Sequence, residues 1–270
     1  TIKGKDLWLR MTETSNYKGI VLAGGAGSRL YPLTKVISKQ LLPIYNRPMI
    51  YYPLSILINA KIKDILIITT PEDQENFKKL LGDGSQWGVK LNYSVQEKPE
   101  GIAQSLIIAD KWLKSNPVVL ILGDNLFFGP NLFSKIGKAI NENVGATIFG
   151  YHVDDPERYG VLELDAGNNV LSIVEKPDNP ASNWIATGLY IYDSNASGYA
   201  RNLKKSDRGE LEITELNNVY LRNNDLKAML FDKEFSWLDT GTHETLLEAS
   251  NFVKDIEEKS DRKVADLLIL

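Results

Sequence analysis

Short apolar runs separated by stretches of helical spacing are the feature that most limits what this chain can fold into. Gly19–Ala23, Asp64–Thr69, Val118–Leu122 and Ala146–Tyr151 are rich in Val, Ile and Leu and show almost no polar alternation. A strand with one face in water alternates, whereas a run apolar on both faces belongs to a sheet covered by helices on both sides. Between these runs, Arg47–Ala60, Pro71–Leu81, Ile102–Leu113 and Asn131–Asn141 carry helical spacing, and Gly82 stands where a helix-terminating glycine belongs. The pattern predicts βαβ units, a mainly parallel sheet and a three-layer α/β/α fold. Pro48 suits the first turn of the first helix, while Pro53 within it predicts a kink or a later start.

After Tyr151 antiparallel pieces enter. Val161–Leu164 and Val170–Val174 flank Gly167-Asn168-Asn169, which reads as a hairpin. Trp184–Tyr192 and Leu226–Phe231 follow as strands, Glu212–Leu221 as a helix, and His243–Glu258 as a closing amphipathic helix. The 270 residues thus read as one domain whose second half folds back on the sheet begun by the first. Thr1–Tyr17 reads as a polar leader outside the fold, an added or processed extension, and Val264–Leu270 as an apolar tail.

Composition removes several chemistries. The chain has no Cys, so it offers no disulfide, thiolate zinc site or cysteine nucleophile. Its two histidines, His152 and His243, make a multi-histidine metal site improbable, so a metal would have to sit on carboxylates. His243 starts the last helix beside Thr242, a place for capping or packing rather than catalysis. A net charge of −4 argues against a protein that coats nucleic acid. No uncharged apolar run approaches the ~20 residues of a membrane span, and the N-terminal stretch lacks the apolar core of a signal peptide; the expected location is the cytoplasm.

The charge is unevenly spread. From Thr14 to Lys63 there is no acidic residue, yet Lys18, Arg29, Lys35, Lys39, Arg47, Lys61 and Lys63 are basic. Within this stretch the first strand runs into Gly24-Gly25-Ala26-Gly27-Ser28-Arg29, a turn whose missing side chains let backbone N–H groups approach a phosphate. It lacks the third glycine of G-x-G-x-x-G and the acid about 20 residues later that would hold a ribose, and no Gly-Lys-[Ser/Thr] completes a Walker loop. Arg29 and Lys39 remain as two cations able to lie along one phosphate chain. Elsewhere, Asp124 ends the apolar run Val118–Gly123 and Asp239 ends Phe235–Leu238. Two acids at the ends of apolar strands point to a shared cation, with Mg²⁺ the natural choice for a site of carboxylates and phosphate oxygens.

The string Lys18 to Thr34, KGIVLAGGAGSRLYPLT, followed by Ser38-Lys39-Gln40-Leu41-Leu42-Pro43, resembles the signature of sugar-1-phosphate nucleotidylyltransferases. The resemblance continues to about Val264 through Leu81–Gly88, Leu122–Asn125, Asp155–Val161, Glu175-Lys176-Pro177, Arg208–Thr214 and Trp237–Thr242. Ser28 stands where Thr is frequent and keeps the hydroxyl. Many relatives continue with further helices past the position of Val264, so any assembly or regulatory contact built from them is not carried over.

The resemblance implies a mostly parallel Rossmann-like mixed sheet of the nucleotide-diphospho-sugar transferase type. It implies a nucleotide-binding half, 18–151, and a sugar-phosphate-binding half, 152–270. Its implied substrates are a nucleoside triphosphate, dTTP with UTP as the alternative, and glucose 1-phosphate. The nucleotidyl transfer would release pyrophosphate and feed deoxysugar polysaccharide synthesis, with Mg²⁺ as cofactor and a homo-oligomer, dimer or tetramer, as the working form.

By the same resemblance Gly24, Gly25, Gly27, Ser28, Arg29, Gln40 and Asp124 face the nucleotide, and Gln96, Pro99 and Gly101 frame its base. Asn125, Tyr159, Gly160, Glu175, Lys176, Arg208 and Trp237 face the sugar phosphate, Tyr159 and Arg208 with a nearby second phosphate site as their alternative. Asp124 and Asp239 hold the metal, and Arg29, Lys39, Asp124, Asp239 and Lys176 carry catalysis. A phosphate monoester is largely dianionic at neutral pH, so its attacking oxygen needs no general base; the task is to bring two polyanions together. The rivals are a glycosyltransferase, disfavoured by the absence of Asp-x-Asp, and a non-catalytic nucleotide-sugar sensor.

Overall fold

The apolar runs do become the strands of one sheet. The computed structural model describes residues 16–25, 27–260, 263–265 and 267. Its first half is β1 (Lys18–Ala23), three single 3₁₀ turns between Ser28 and Leu41, β2 (Pro43–Ile44), β3 (Arg47–Pro48), α1 (Tyr51–Asn59), β4 (Asp64–Thr69), α2 (Gln74–Leu81), β5 (Lys90–Val95), α3 (Gln104–Leu113), β6 (Val118–Leu122), β7 (Asn125–Phe128), α4 (Leu132–Glu142) and β8 (Ala146–His152). The second half is β9 (Gly160–Leu164), β10 (Val170–Glu175), β11 (Trp184–Tyr192), α5 (Ala196–Arg201), α6 (Ile213–Arg222), β12 (Leu226–Leu230), β13 (Ser236–Asp239) and α7 (His243–Ser260).

Nine strands form the central sheet, in the order β10-β9-β11-β6-β1-β4-β5, with β8 joining β11 to β12. Seven of the nine run one way and only β10 and β11 are reversed. The sheet is therefore mostly parallel. Its two faces take alternate residues of each strand: Val21 and Ala23 of β1 pack with α1, α2 and α4, while Ile20 and Leu22 pack with α3, α5 and α6. These two apolar layers make the three-layer sandwich that the sequence predicts. A smaller cluster of Ile44, Met49, Tyr52 and Leu126 receives Ala249 and Val253 of α7. Among the described residues no helix is long and apolar enough to cross a membrane.

Three sequence expectations are corrected. Arg47 and Pro48 are not the start of α1 but a short strand paired with Pro43–Ile44, with Met49 N donating to Leu42 O at 2.9 Å. The helix starts at Tyr51, which places Pro53 in its first turn, where no intrahelical N–H is required. Pro71–Asp73 is a turn ahead of α2, where the Asp73 carboxylate accepts from Ser38 N and Thr70 Oγ1, each at 3.0 Å. Tyr17, read as the end of the leader, packs half-buried against the core, and burial pushes its phenol pKa up. Of the leader, residues 1–15 lie outside the described residues, as does part of the tail; Leu267 is buried, and Val264 and Ala265 pack beside α7.

Candidate active site

In a parallel sheet the carboxyl ends of the strands open onto the ligand side, and here three such ends carry candidate residues. β1 leads to the glycine turn, β5 to Gln96, and β6 to Gly123-Asp124. Gly27 sits at φ +61°, a conformation glycine adopts without strain, and Thr34 Oγ1 closes the turn onto Gly27 O at 2.7 Å. A Cβ on Gly24 would stand 2.1 Å from Gln96 Oε1, so the amide of Gln96 lies directly on bare backbone.

β11 pairs with β6 only through Leu189–Tyr192 and with β9 only at Ile185. Between these pairings its register breaks, and Ala186, Thr187 and Gly188 form the floor of a cleft of about 670 Å³. Into this cleft the structure gathers Arg29, Asp124, Asn125, Tyr159, Gly160, Glu175, Lys176, Arg208, Trp237 and Asp239, the first and last of them 210 residues apart. Lys39 reaches it through a salt bridge with Asp124.

The two aspartates stand together because β13 pairs antiparallel with β7, Asp239 opposite Asn125. Burial works against ionisation of Asp124, but the Lys39 ammonium outweighs it and holds that carboxyl below the usual carboxylate range. Asp239 goes the other way: burial and the charge of Asp124 push its carboxyl up, only partly offset by Lys39, Arg29 and Arg158. Asn125 Nδ2 donates to Asp124 Oδ1 at 3.1 Å, whereas among the described residues no hydrogen-bond donor is seated on the Asp239 carboxylate. A crowded pair of acids, one without a donor, is a donor set of the kind that suits a divalent cation. No cluster of three or more ligating side chains occurs among the described residues, so water or substrate oxygens would complete the coordination.

At the other end of the cleft, Glu175 ends β10 and pairs with Gly160 of β9. Thr214 Oγ1 donates to Glu175 Oε2, fixing one oxygen. Lys176 follows at φ +43°, its N–H bonded to Tyr159 O at 2.9 Å, and its half-exposed ammonium lies 3.8 Å from Glu175 Oε1. Tyr159 stands edge-on to Trp237 at 5.3 Å, and burial with the Asp239 charge pushes its phenol up to about 12, keeping it a proton donor.

Three predicted residues are already engaged. The Arg208 guanidinium is shared among Glu212 at 2.8 Å, Glu175 at 3.2 Å and Glu210 at 3.7 Å, so it lines the cleft as a clamp on carboxylates rather than as a free cation. The Asn125 carbonyl accepts from Trp237 Nε1 at 2.7 Å and Gly188 N at 3.0 Å, leaving no lone pair for a sugar hydroxyl. Gln40 is buried, accepts from Ser38 Oγ and packs its Cγ against Gly123, behind the cleft lining. Gly24, Gly25, Gly27, Ser28, Gln96, Pro99 and Gly101 lie outside the cavity lining, on the β1–β5 side. His243 caps no reacting group; its Nε2 is 3.1 Å from Tyr31 O.

Sequence reasoning missed Thr214, Glu212, Thr240 and Gly241, although all four lie within the matched strings. A Cβ on Gly241 would stand 2.7 Å from Arg29 Nη2 and 3.0 Å from its Cζ, so the guanidinium rests on bare main chain. For the three polar residues the signal is a hydrogen-bonding side chain placed beside a charged one, and for Gly241 it is the approach of Arg29 to bare main chain; both need a fold to be seen.

A Rossmann-like α/β sheet with a glycine turn at the end of β1 and, beside it, a cleft served by two cations and two facing carboxylates is the arrangement of a transferase that works on phosphate esters. The chain belongs to the Nucleotidyl transferase family, which it matches over residues 18–256. It is 51% identical over 250 residues to a glucose-1-phosphate thymidylyltransferase of Neisseria gonorrhoeae, covering 93% of this chain and 87% of that one. It is 53% identical to the same enzyme of Xanthomonas campestris pv. campestris strain B100, covering 92% and 84%. A solved chain from Bacillus anthracis, assigned as a glucose-1-phosphate thymidylyltransferase and in complex with sucrose, superposes with a TM-score of 0.82 at 42% identity, covering 89% of this chain and 96% of that one. The fold is also that of a UDP-glucose pyrophosphorylase solved with UDP-glucose, with a TM-score of 0.78 at 22% identity, covering 88% and 98%.

Proposed function

We propose that this chain transfers a thymidylyl group from dTTP to glucose 1-phosphate, giving dTDP-glucose and pyrophosphate. The observation that carries the reading is the single cleft in which Arg29 and the Asp124–Asp239 pair stand at one end and the Glu175–Lys176 corner at the other. Relatives of about half-identical sequence along more than nine-tenths of the chain bear that enzyme's name. The working division is a nucleotide-binding half, 18–151, and a sugar-phosphate half, 152–270.

In this reading an oxygen of the sugar phosphate attacks the α-phosphorus in line, one P–O bond forms, the bond to the β-phosphate oxygen breaks, and pyrophosphate leaves with that electron pair. The nucleophile arrives as a dianion, so no base is assigned. Arg29, lying flat on Gly241, offers its planar fork to the triphosphate. Lys39 sits between Asp124 and the phosphate chain. Lys176, half-exposed and in only a 3.8 Å ion pair with Glu175, holds the attacking phosphate, and Glu175, fixed by Thr214, accepts hydrogen bonds from the sugar. Asp124 and Asp239 would hold Mg²⁺, which when bound supplies positive charge against the α-phosphate and lowers repulsion between the two esters.

The test is pyrophosphate release from each of four nucleoside triphosphates with several sugar 1-phosphates. Release is expected with dTTP and glucose 1-phosphate; a preference for UTP would move the base assignment, and no release from any pair would favour the sensor. In the same assay Lys176→Ala is expected to raise the KM for glucose 1-phosphate by about tenfold or more, the loss of a charge-assisted contact, with the KM for dTTP little changed. Unchanged kinetics would move the sugar phosphate elsewhere.

Gly241→Ala offers a second check. The atom it meets is the end of a flexible side chain, so the protein is expected to melt like the parent while Arg29 is pushed aside and kcat falls on the order of 100-fold. A melt that falls along with kcat would make this glycine a packing residue instead.

A further inference from the structure

Asp124 is tied twice to the strand that ends in Asp239. Thr240 is fully buried, and its hydroxyl donates to the main-chain carbonyl of Asp124 at 2.8 Å, with its own N–H 3.3 Å from the same oxygen. Met49 Sδ lies 3.2 Å from that hydroxyl, a weaker acceptor than the carbonyl. Three residues earlier, Trp237 Nε1 donates to Asn125 Oδ1, and Asn125 Nδ2 passes the contact on to Asp124 Oδ1. One tie therefore fixes the backbone of Asp124 and the other its carboxylate. Both originate on β13 or the residue directly after it.

Geometry alone makes this arrangement consequential. Asp124 sits in the tight turn between β6 and β7, where a small rotation of its peptide would swing its carboxylate away from Asp239. Lys39 would accept such a rotation, because an ammonium on a flexible stem follows its partner. A hydroxyl bond to the main chain does not follow, since Thr240 is itself held by its covalent link to Asp239.

We infer that Thr240 is a positioning residue for nucleotidyl transfer: its hydroxyl sets the Asp124 carboxylate against that of Asp239, so that both face one divalent cation and one α-phosphate. The inference rests on the functional reading above. Its competitor is plain packing, in which Thr240 fills space and Val would serve as well.

The experiment compares the full chain with Thr240→Val, which keeps the shape and removes the hydroxyl, and Thr240→Ser, which keeps the hydroxyl and removes the methyl. Binding of Mn²⁺ without substrates is followed by the electron paramagnetic resonance of the free ion, with Asp239→Asn as the baseline for binding elsewhere. Thr240→Val is expected to weaken the Mn²⁺ Kd and lower kcat, each by about 10–100-fold, the usual cost of losing a group that orients a metal ligand. The KM for glucose 1-phosphate should stay near the parent value, and Thr240→Ser should recover most of both losses.

A parent-like Mn²⁺ Kd in Thr240→Val would overturn the inference, as would Thr240→Ser being equally impaired. So would the absence in the parent of any Mn²⁺ binding that Asp239→Asn removes. Should Thr240→Val fail to fold, Thr240→Ala is read against the same outcomes. If the parent releases no pyrophosphate with any pair of substrates, the functional reading fails, and the Mn²⁺ series still decides the role of Thr240.

Discussion

Asp239→Asn is expected to melt at a higher temperature than the parent in metal-free buffer at neutral pH, while its turnover falls by about two to three orders of magnitude, the scale of losing a group that stabilises transition-state charge. The stability half follows from the carboxyl being pushed up by burial and by Asp124. A carboxyl whose pKa is raised on folding costs stability wherever it is ionised, and that cost disappears as pH falls below its ordinary range. The amide removes the like charge without changing shape, so the gain should be largest near neutral pH and vanish in acid. Asp124→Asn should be equally inactive but less stable, by up to about 3 kcal/mol, because it takes from Lys39 its ion-pair partner in a site where each side chain of the pair is only 12–13% exposed and leaves the ammonium facing only the charge of Asp239. Thermal melts across pH, run beside pyrophosphate assays, check both variants. If the two shift stability in the same direction, the charge arrangement described for the pair is wrong.

Gly101→Ala is the second large effect. Gly101 holds φ +105°, and a Cβ there would stand 2.4 Å from Leu211 O and 2.6 Å from Leu211 N. Unlike the contact at Gly241, both obstacles are main chain. Backbone strain and overpacking together should cost about 3 kcal/mol or more. For a chain of this size that lowers the melting temperature by roughly 6–12 °C. Turnover at a temperature where the variant remains folded should also fall, through the displaced loop of Gln96. A melt within a degree or two of the parent would show that loop 96–103 yields far more easily than its hydrogen bonds indicate.

The sequence makes most of the sheet legible because strand burial is written in composition: β1, β4, β6 and β8 are apolar on both faces and could sit nowhere else. The glycine turn and the strand-end positions of Asp124 and Asp239 are readable for the same reason. Pairing partners are not. β7 follows β6 after the two-residue turn Gly123-Asp124, but it pairs with β13 and not back onto β6, and that match depends on contacts more than 100 residues apart. Hence the facing of the two aspartates is an inference from the family string in the sequence and a geometric fact only in the fold. Arg208 shows the opposite limit. From sequence it is a free cation near a phosphate; folded, it meets three glutamates, two of which, Glu210 and Glu212, lie within four residues of it. The order of charges along a chain does not say which of them will be spent on one another.

The backbone of Leu211 accepts from Ala103 N at 3.2 Å and donates to Glu100 O at 2.7 Å, and Lys205 adds an ion pair to Glu100 at 2.6 Å. Leu211 is also the residue from which the chain passes into Glu212, Ile213 and Thr214, the last of which grips Glu175. Loop 96–103 and the acidic corner of the cleft are thus mechanically one piece, joined by a splint of two peptide units. An outward swing of loop 96–103 therefore pulls on the segment that holds Glu175.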